Sequence, residues 1–106
     1  MDEINNINSK ELLELIDKKE DIQIIDVRII AGTDLPFEAS VFIPFDKLTK
    51  NIDKISREKK VIFICDTGAN SFFAVKILQQ FHNFTNLWNL KGGIDKYKID
   101  NKIDLQ

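Results

Sequence analysis

Val61-Ile62-Phe63-Ile64-Cys65-Asp66-Thr67-Gly68-Ala69-Asn70-Ser71 is the stretch whose reading decides the fold. Its first four residues are apolar without a polar interruption, as in a strand buried on both faces, and they stop at the only cysteine in the chain. Cys65 therefore stands at a strand's carboxyl end. A short polar loop with one glycine follows, and then Phe72, Val75, Leu78 and Phe81, with Ile77 beside them, recur at helical spacing. The spacing predicts a helix over Ser71 to Phe81. Backbone N–H groups of a short loop that enters a helix converge and carry partial positive charge, so they hold a thiolate or a bound anion. The thiolate is the nucleophilic form of cysteine, and helix N-termini are among the settings that favour it. A free cysteine is more often a small buried hydrophobe, and it is the loop after Cys65 that points to chemistry instead.

Working outward, the whole chain has 106 residues, enough for one domain with its own core. Hydrophobic residues make up 43% and charged residues 30%, as in ordinary globular proteins. A net charge of −2 supplies no basic stripe to neutralise phosphates, which argues against a nucleic-acid partner. No apolar run reaches membrane-spanning length, and no basic start leads into an apolar stretch. A cytoplasmic location and no membrane contact are expected. A single cysteine excludes an internal disulfide, a Cys-x-x-Cys pair and a cysteine-based zinc cluster, so no metal site is expected.

In chain order, Met1 to Asn8 is polar and is expected to fray, and Ser9 reads as the N-cap of a helix to Lys19 with Leu12, Leu15 and Ile16 on its apolar stripe. Ile22 to Val27 is a β-branched run of strand length, closed by Asp26 and Arg28 near Cys65 if the two strands are parallel neighbours. Ile29 to Glu38 carries Gly32 and Pro36 and reads as a connection. Ala39 to Pro44 reads as a short strand stopped by proline, followed by helical turns at Asp46 to Leu48 and around Ile52 and Ile55. After the central helix, Leu87 to Leu90 is a last short strand, Gly92-Gly93 a turn, and Ile94 to Lys98 a terminal helix with Tyr97 inward. His82 ends the central helix, where capping or exposure suits it better than catalysis. At least one of Phe72 and Phe73 is expected in the helix core. No repeat or linker interrupts this order, so one domain over residues 1–106 is expected.

Several of these pieces together resemble the rhodanese-like family. Asp26-Val27-Arg28 is similar to its early Asp-Val-Arg motif, and Val41-Phe42-Ile43-Pro44-Phe45 to its Ile-Pro-containing strand. Cys65 to Ser71 resembles its active-site loop, and Asn89-Leu90-Lys91-Gly92-Gly93-Ile94 its Leu-x-Gly-Gly-Ile stretch. The likeness runs from about Ser9 to Lys98. It implies an α/β fold of three layers, with a mostly parallel central sheet flanked by helices. It also implies a sulfurtransferase in which Cys65 accepts sulfane sulfur as a persulfide and passes it to a thiol or protein acceptor. Asp66, Thr67, Gly68, Ala69, Asn70 and Ser71 then cradle the outer sulfur, Asp26 and Arg28 support the loop, and no cofactor is implied.

The loop departs from the family where that family carries arginines, because Asp66 and Asn70 occupy those positions. A carboxylate about 6 Å from the sulfur opposes a thiolate by roughly 0.7 to 2.8 kcal/mol at an effective dielectric of 80 to 20, comparable with a helix terminus at about 0.3 to 2 kcal/mol. The expectation is a donor other than thiosulfate, and the alternative is a catalytically silent module that binds a protein partner. A redox sensor would require an external thiol to resolve it. Phosphatase relatives hold their oxyanion with an arginine six positions after the cysteine, where this chain has Ser71. The family's Gly-His-Ile-Pro-Gly region is replaced by the sequence around Phe37-Glu38-Ala39-Ser40, so the resemblance does not define that wall of the site.

Overall fold

The strands of this chain are separated by segments long enough to cross a sheet face, and all of them run the same way. The computed structural model describes residues 3–32 and 35–103. In order they form β1 (Asn5–Ile7), α1 (Ser9–Asp17), β2 (Ile22–Asp26), β3 (Val41–Phe42), two 3₁₀ turns (Phe45–Lys50 and Ile52–Lys54), β4 (Lys60–Ile64), α2 (Ala69–Phe81), β5 (Leu87–Leu90) and α3 (Gly93–Asp100). The strands make one five-stranded sheet in the order β1-β5-β4-β2-β3. β4 lies at its centre, and its apolar run Val61 to Ile64 is covered on both faces, as an uninterrupted run requires.

Alternation of side chains across the sheet creates two cores. Ile25, Val27, Val61, Phe63, Cys65 and Leu87 join Ala74, Val75 and Leu78 of α2 and Leu48 of the first 3₁₀ turn. Ile7, Ile24, Ile62, Ile64 and Leu90 join Leu12 of α1 and Ile94 and Tyr97 of α3. Helices on both faces give three layers, the α/β architecture expected. Each fully buried aliphatic or aromatic side chain contributes about 1.5–3 kcal/mol of transfer free energy. Cys65 has the parity of Val61 and Phe63, so its side chain points to the α2 face. Among the described residues no helix is long and apolar enough to cross a membrane.

Four local expectations are corrected. The N-terminal stretch does not fray throughout, because Asn5–Ile7 forms an edge strand paired with β5 and Ile7 is buried; Met1 and Asp2 lie outside the described residues, as do Thr33 and Asp34 of the first connection. The N-cap of α1 is Asn8, not Ser9: Asn8 Oδ1 accepts from the Glu11 N–H at 2.8 Å while Glu11 Oε1 accepts from the Asn8 N–H at 2.9 Å. Only with Asn8 as cap does the third helical position hold a glutamate, which closes the capping box. The helix ends at Asp17, two residues early, with Lys19 left-handed at φ 55°. The buried stripe of α2 is Ser71, Ala74, Val75 and Leu78, which leaves Phe72 half-buried and Phe73 and Phe81 exposed. Phe84, brought back by the turn after α2, fills the core in place of Phe81.

Asn8→Ala is expected to destabilise the chain by about 1 kcal/mol through loss of the cap. For a domain of this size that is a fall in Tm of roughly 4–8 °C, read by thermal denaturation; an unchanged Tm would show that the capping box contributes nothing.

Candidate active site around Cys65

The register of β2 on β4 assembles one side of the site. Asp26 lies opposite Ile64, and the Val27 N–H donates to the Ile64 carbonyl at 2.9 Å, so Asp26 and Arg28 end their strand beside Cys65. Asp26 is 1% exposed and Arg28 7%, and buried charges of this kind persist only when paired. Arg28 Nε donates to Asp26 Oδ1 and Oδ2 at 3.1 and 3.2 Å, Nη2 donates to Oδ2 at 3.0 Å, and the Arg28 backbone N–H donates to Oδ1 at 3.0 Å. Arg28 Nη1 also reaches Asp66 Oδ1 at 3.4 Å. The Asp66 carboxylate, with a side chain 60% exposed, is thus drawn toward a cation.

The loop forms the other side. Gly68 is left-handed at φ 94°, and a Cβ there would lie 3.1 Å from the Gly92 nitrogen and 3.3 Å from the Leu90 carbonyl oxygen, so the turn into α2 requires glycine. The Gly68 and Ser71 N–H groups donate to Cys65 Sγ at 3.1 and 3.4 Å. Ser71 Oγ stands 3.4 Å from the same sulfur. Cys65 is only 3% exposed, yet it lines a cavity of about 430 Å³ together with Arg28, Ile29, Ile30, Asp66, Thr67, Ala69 and Asn70. Ala69 and Asn70 lie in the first turn of α2, whose N–H groups have no acceptor within the helix. A larger cavity of about 720 Å³ between α1 and the Pro36–Ala39 segment has no cysteine, serine or threonine among its described lining residues.

Every residue expected at the site from sequence is therefore found around one sulfur atom. Asp26 stands behind Arg28, Gly68 and Ser71 bond to Sγ, and the remainder line the cavity. His82 is the C-cap at the far end of α2, about 20 Å away along a helix of 13 residues. Among the described residues no group of His, Cys, Asp and Glu side chains is arranged to hold a metal ion.

Three features were not read from sequence. Ile29 and Ile30, 53% and 80% exposed, supply the wall opposite the loop, whereas Phe37 turns away to stack against Tyr97 with ring centroids 5.0 Å apart. Two adjacent isoleucines directly after Arg28 were the available clue. The first turn of α3 holds the loop: the Ile94 N–H donates to the Cys65 carbonyl at 2.8 Å and the Asp95 N–H to the Asp66 carbonyl at 3.0 Å. Asn89, 4% exposed, meets Ser71 beneath the sulfur, and an amide in an otherwise apolar strand was its clue.

Gly93 is left-handed at φ 70°, and a Cβ on it would collide with the Asp66 carbonyl and lie 2.6 Å from the Cys65 carbonyl oxygen. Gly93→Ala is expected to cost about 2–5 kcal/mol from backbone strain and overpacking combined. Urea denaturation measures it, and a stability equal to wild type would contradict the close approach of α3 to the loop.

Comparison with known proteins agrees with this geometry. The sequence profile of the Rhodanese-like domain matches residues 8–100. A protein named as a sulfurtransferase from Allochromatium vinosum is 28% identical over 94 residues, spanning 86% of this chain and 85% of its own. Among solved structures, a rhodanese-related protein from Thermoplasma volcanium is 28% identical with a TM-score of 0.76, over 91% of this chain and 92% of that one. An NAD-dependent persulfide reductase from A. fulgidus is 31% identical with a TM-score of 0.72, over 88% of this chain and 16% of that one. With its family profile matched over nearly the whole length and its parallel sheet superposing on these structures, the chain belongs to the rhodanese-like domain family.

Proposed function

We propose that this chain is a sulfurtransferase that carries sulfane sulfur as a persulfide on Cys65. The observation that supports the reading best is the convergence of two N–H donors, from Gly68 and Ser71, on a sulfur at the wall of a cavity. The Cys65 thiolate attacks the outer sulfur of a donor R–S–SH, a new S–S bond forms as the donor's S–S bond breaks, and R–S⁻ leaves with the electron pair. An acceptor thiolate then takes the outer sulfur and returns Cys65 as thiolate. Atoms and electrons balance without a metal or an organic cofactor. Ala69 and Asn70, in the first turn of α2 where N–H groups lack acceptors within the helix, line the cavity the outer sulfur would enter.

A donor other than thiosulfate suits the charges around the cavity. Arg28, the one cation among its described lining residues, is engaged by Asp26 and Asp66, and Asp66 adds a negative charge at the mouth. A doubly charged anion meets repulsion there, whereas a persulfide on a small thiol or a protein does not. The same Arg28 contact offsets the repulsion of Asp66 toward a thiolate. Two of the similar proteins are named as a sulfurtransferase and a persulfide reductase, which supports sulfur chemistry. The second reading, a catalytically silent module that binds a protein partner, is favoured by one feature: Ile29 and Ile30 present exposed apolar surface on the cavity rim.

Incubation with a small-molecule persulfide is expected to add one sulfur to wild type and none to Cys65→Ser in intact-mass measurement. No addition to wild type, or equal addition to the variant, would leave only the binding reading. Thiosulfate-to-cyanide transfer by wild type is expected to be slow, and Asp66→Arg to raise its kcat/KM about tenfold, the range one reversed charge supplies at this distance. Turnover of thiosulfate by wild type as fast as that of a persulfide donor would contradict the role given to Asp66.

A further inference from the structure

The geometry points to Asn89 as the residue that sets the direction of the Ser71 hydroxyl, and through it how readily Cys65 releases its proton. The inference rests on the reading of Cys65 as the nucleophile.

Parallel register brings the residues together. Asn89 lies opposite Phe63 on one side and Asn6 on the other, and Phe63 shares the α2 face with Cys65. Ser71 is fully buried on α2 and Asn89 is 4% exposed, so each polar atom there needs a partner. Ser71 Oγ and Asn89 Oδ1 are 2.5 Å apart, the length of an O–H···O bond and shorter than N–H···O bonds run. Asn89 Nδ2 donates instead to Asn6 Oδ1 at 3.1 Å, which fixes the amide with its oxygen toward Ser71. A hydroxyl has one proton, and Ser71 gives it to Asn89. Toward Cys65 Sγ, 3.4 Å away, Ser71 therefore presents a lone pair. A lone pair accepts from S–H and opposes S⁻. When Cys65 ionises, Ser71 must turn its proton to the sulfur and leave the buried Asn89 oxygen without a donor, which is unfavourable. The Gly68 and Ser71 N–H groups favour the thiolate, and Asn89 works against them. Asn89 is thus a positioning residue that draws the Ser71 proton away from the sulfur.

The test is the pH dependence of iodoacetamide alkylation of the folded chain. Of the charged groups on the elements around the sulfur, Asp26 and Arg28 end β2, Asp66 lies on the loop and Asp95 in the first turn of α3; Lys60 opens β4 at the end away from Cys65, Lys76 of α2 lies over the Phe72 ring, Lys96, Lys98 and Asp100 follow later in α3, and β1 and β5 carry none. All of them stay in place in the variants, which change neutral partners only. In Asn89→Leu the Ser71 proton loses its acceptor and is free to turn to the sulfur, so the midpoint of the profile is expected to fall by about one pH unit, with alkylation about tenfold faster below it. In Ser71→Ala the sulfur loses an acceptor for its proton and the midpoint falls by less; adding Asn89→Leu to Ser71→Ala then changes nothing further. A midpoint that rises in Ser71→Ala, or stays put in a folded Asn89→Leu as judged by circular dichroism, overturns the inference. Should Asn89→Leu fail to fold, the direction of the shift in Ser71→Ala decides alone. Alkylation needs no sulfur donor, so a chain that takes up no sulfur but shows these shifts would sink the transfer reading and leave the positioning role standing.

Discussion

Two hydrogen bonds from the start of α3 hold the loop on which the site depends. The N–H groups of Ile94 and Asp95 have no acceptor within their own helix, and they take the carbonyls of Cys65 and Asp66 at 2.8 and 3.0 Å. Peptide planarity then acts on the other side of each bond. In a trans peptide the C=O and N–H point in opposite directions, so carbonyls committed to α3 turn the following N–H groups, those of Asp66 and Thr67, away from it. One layer of the fold thereby fixes the start of the loop whose Gly68 and Ser71 N–H groups meet the sulfur. The approach is close enough that only glycine fits at position 93, where any Cβ meets the backbone of the loop.

The sheet contributes direction. After Lys60, β4 is apolar and carries no alternation in composition, yet its residues alternate in space between the two cores. Because Cys65 follows Val61 and Phe63 in parity, its sulfur is aimed at the N-terminus of α2, and parallel pairing brings the ends of β2 and β5 to the same edge. In open parallel sheets this carboxyl edge is where ligands gather. Asp26 and Arg28 arrive there from β2 as a buried, multiply bonded pair, and Asn89 arrives from β5.

Electrostatically the site is close to balanced. Arg28 is shared between a buried carboxylate and an exposed one, so the charge it lends to the cavity is largely answered before any substrate enters. Favourable contributions to an anion at the sulfur come from neutral backbone donors. A site of that kind discriminates by shape and hydrogen bonding more than by charge, and its apolar wall of Ile29 and Ile30 is consistent with that balance.

The sequence by itself determined the α/β class, the strand, loop and helix around Cys65, the last strand at Leu87–Leu90, and the whole set of loop residues, because each rests on local pattern: an unbroken apolar run, a glycine, helical spacing. Element ends were less legible. Capping at Asn8 turns on a reciprocal pair of hydrogen bonds, and the pairing of Asn5–Ile7 draws on β5, more than eighty residues away. The burial of Phe84 in place of Phe81 is likewise a matter of which side chain the returning turn carries inward. What only the tertiary structure decided is how the site is held: the carbonyls given to α3, the Asp66 carboxylate drawn to Arg28, and the Ser71 hydroxyl facing Asn89. These contacts join residues from 18 to 38 positions apart, and no local preference of either partner specifies them. They exist because parallel strands bring their ends to one edge, where backbone and side-chain groups removed from water must find partners in one another.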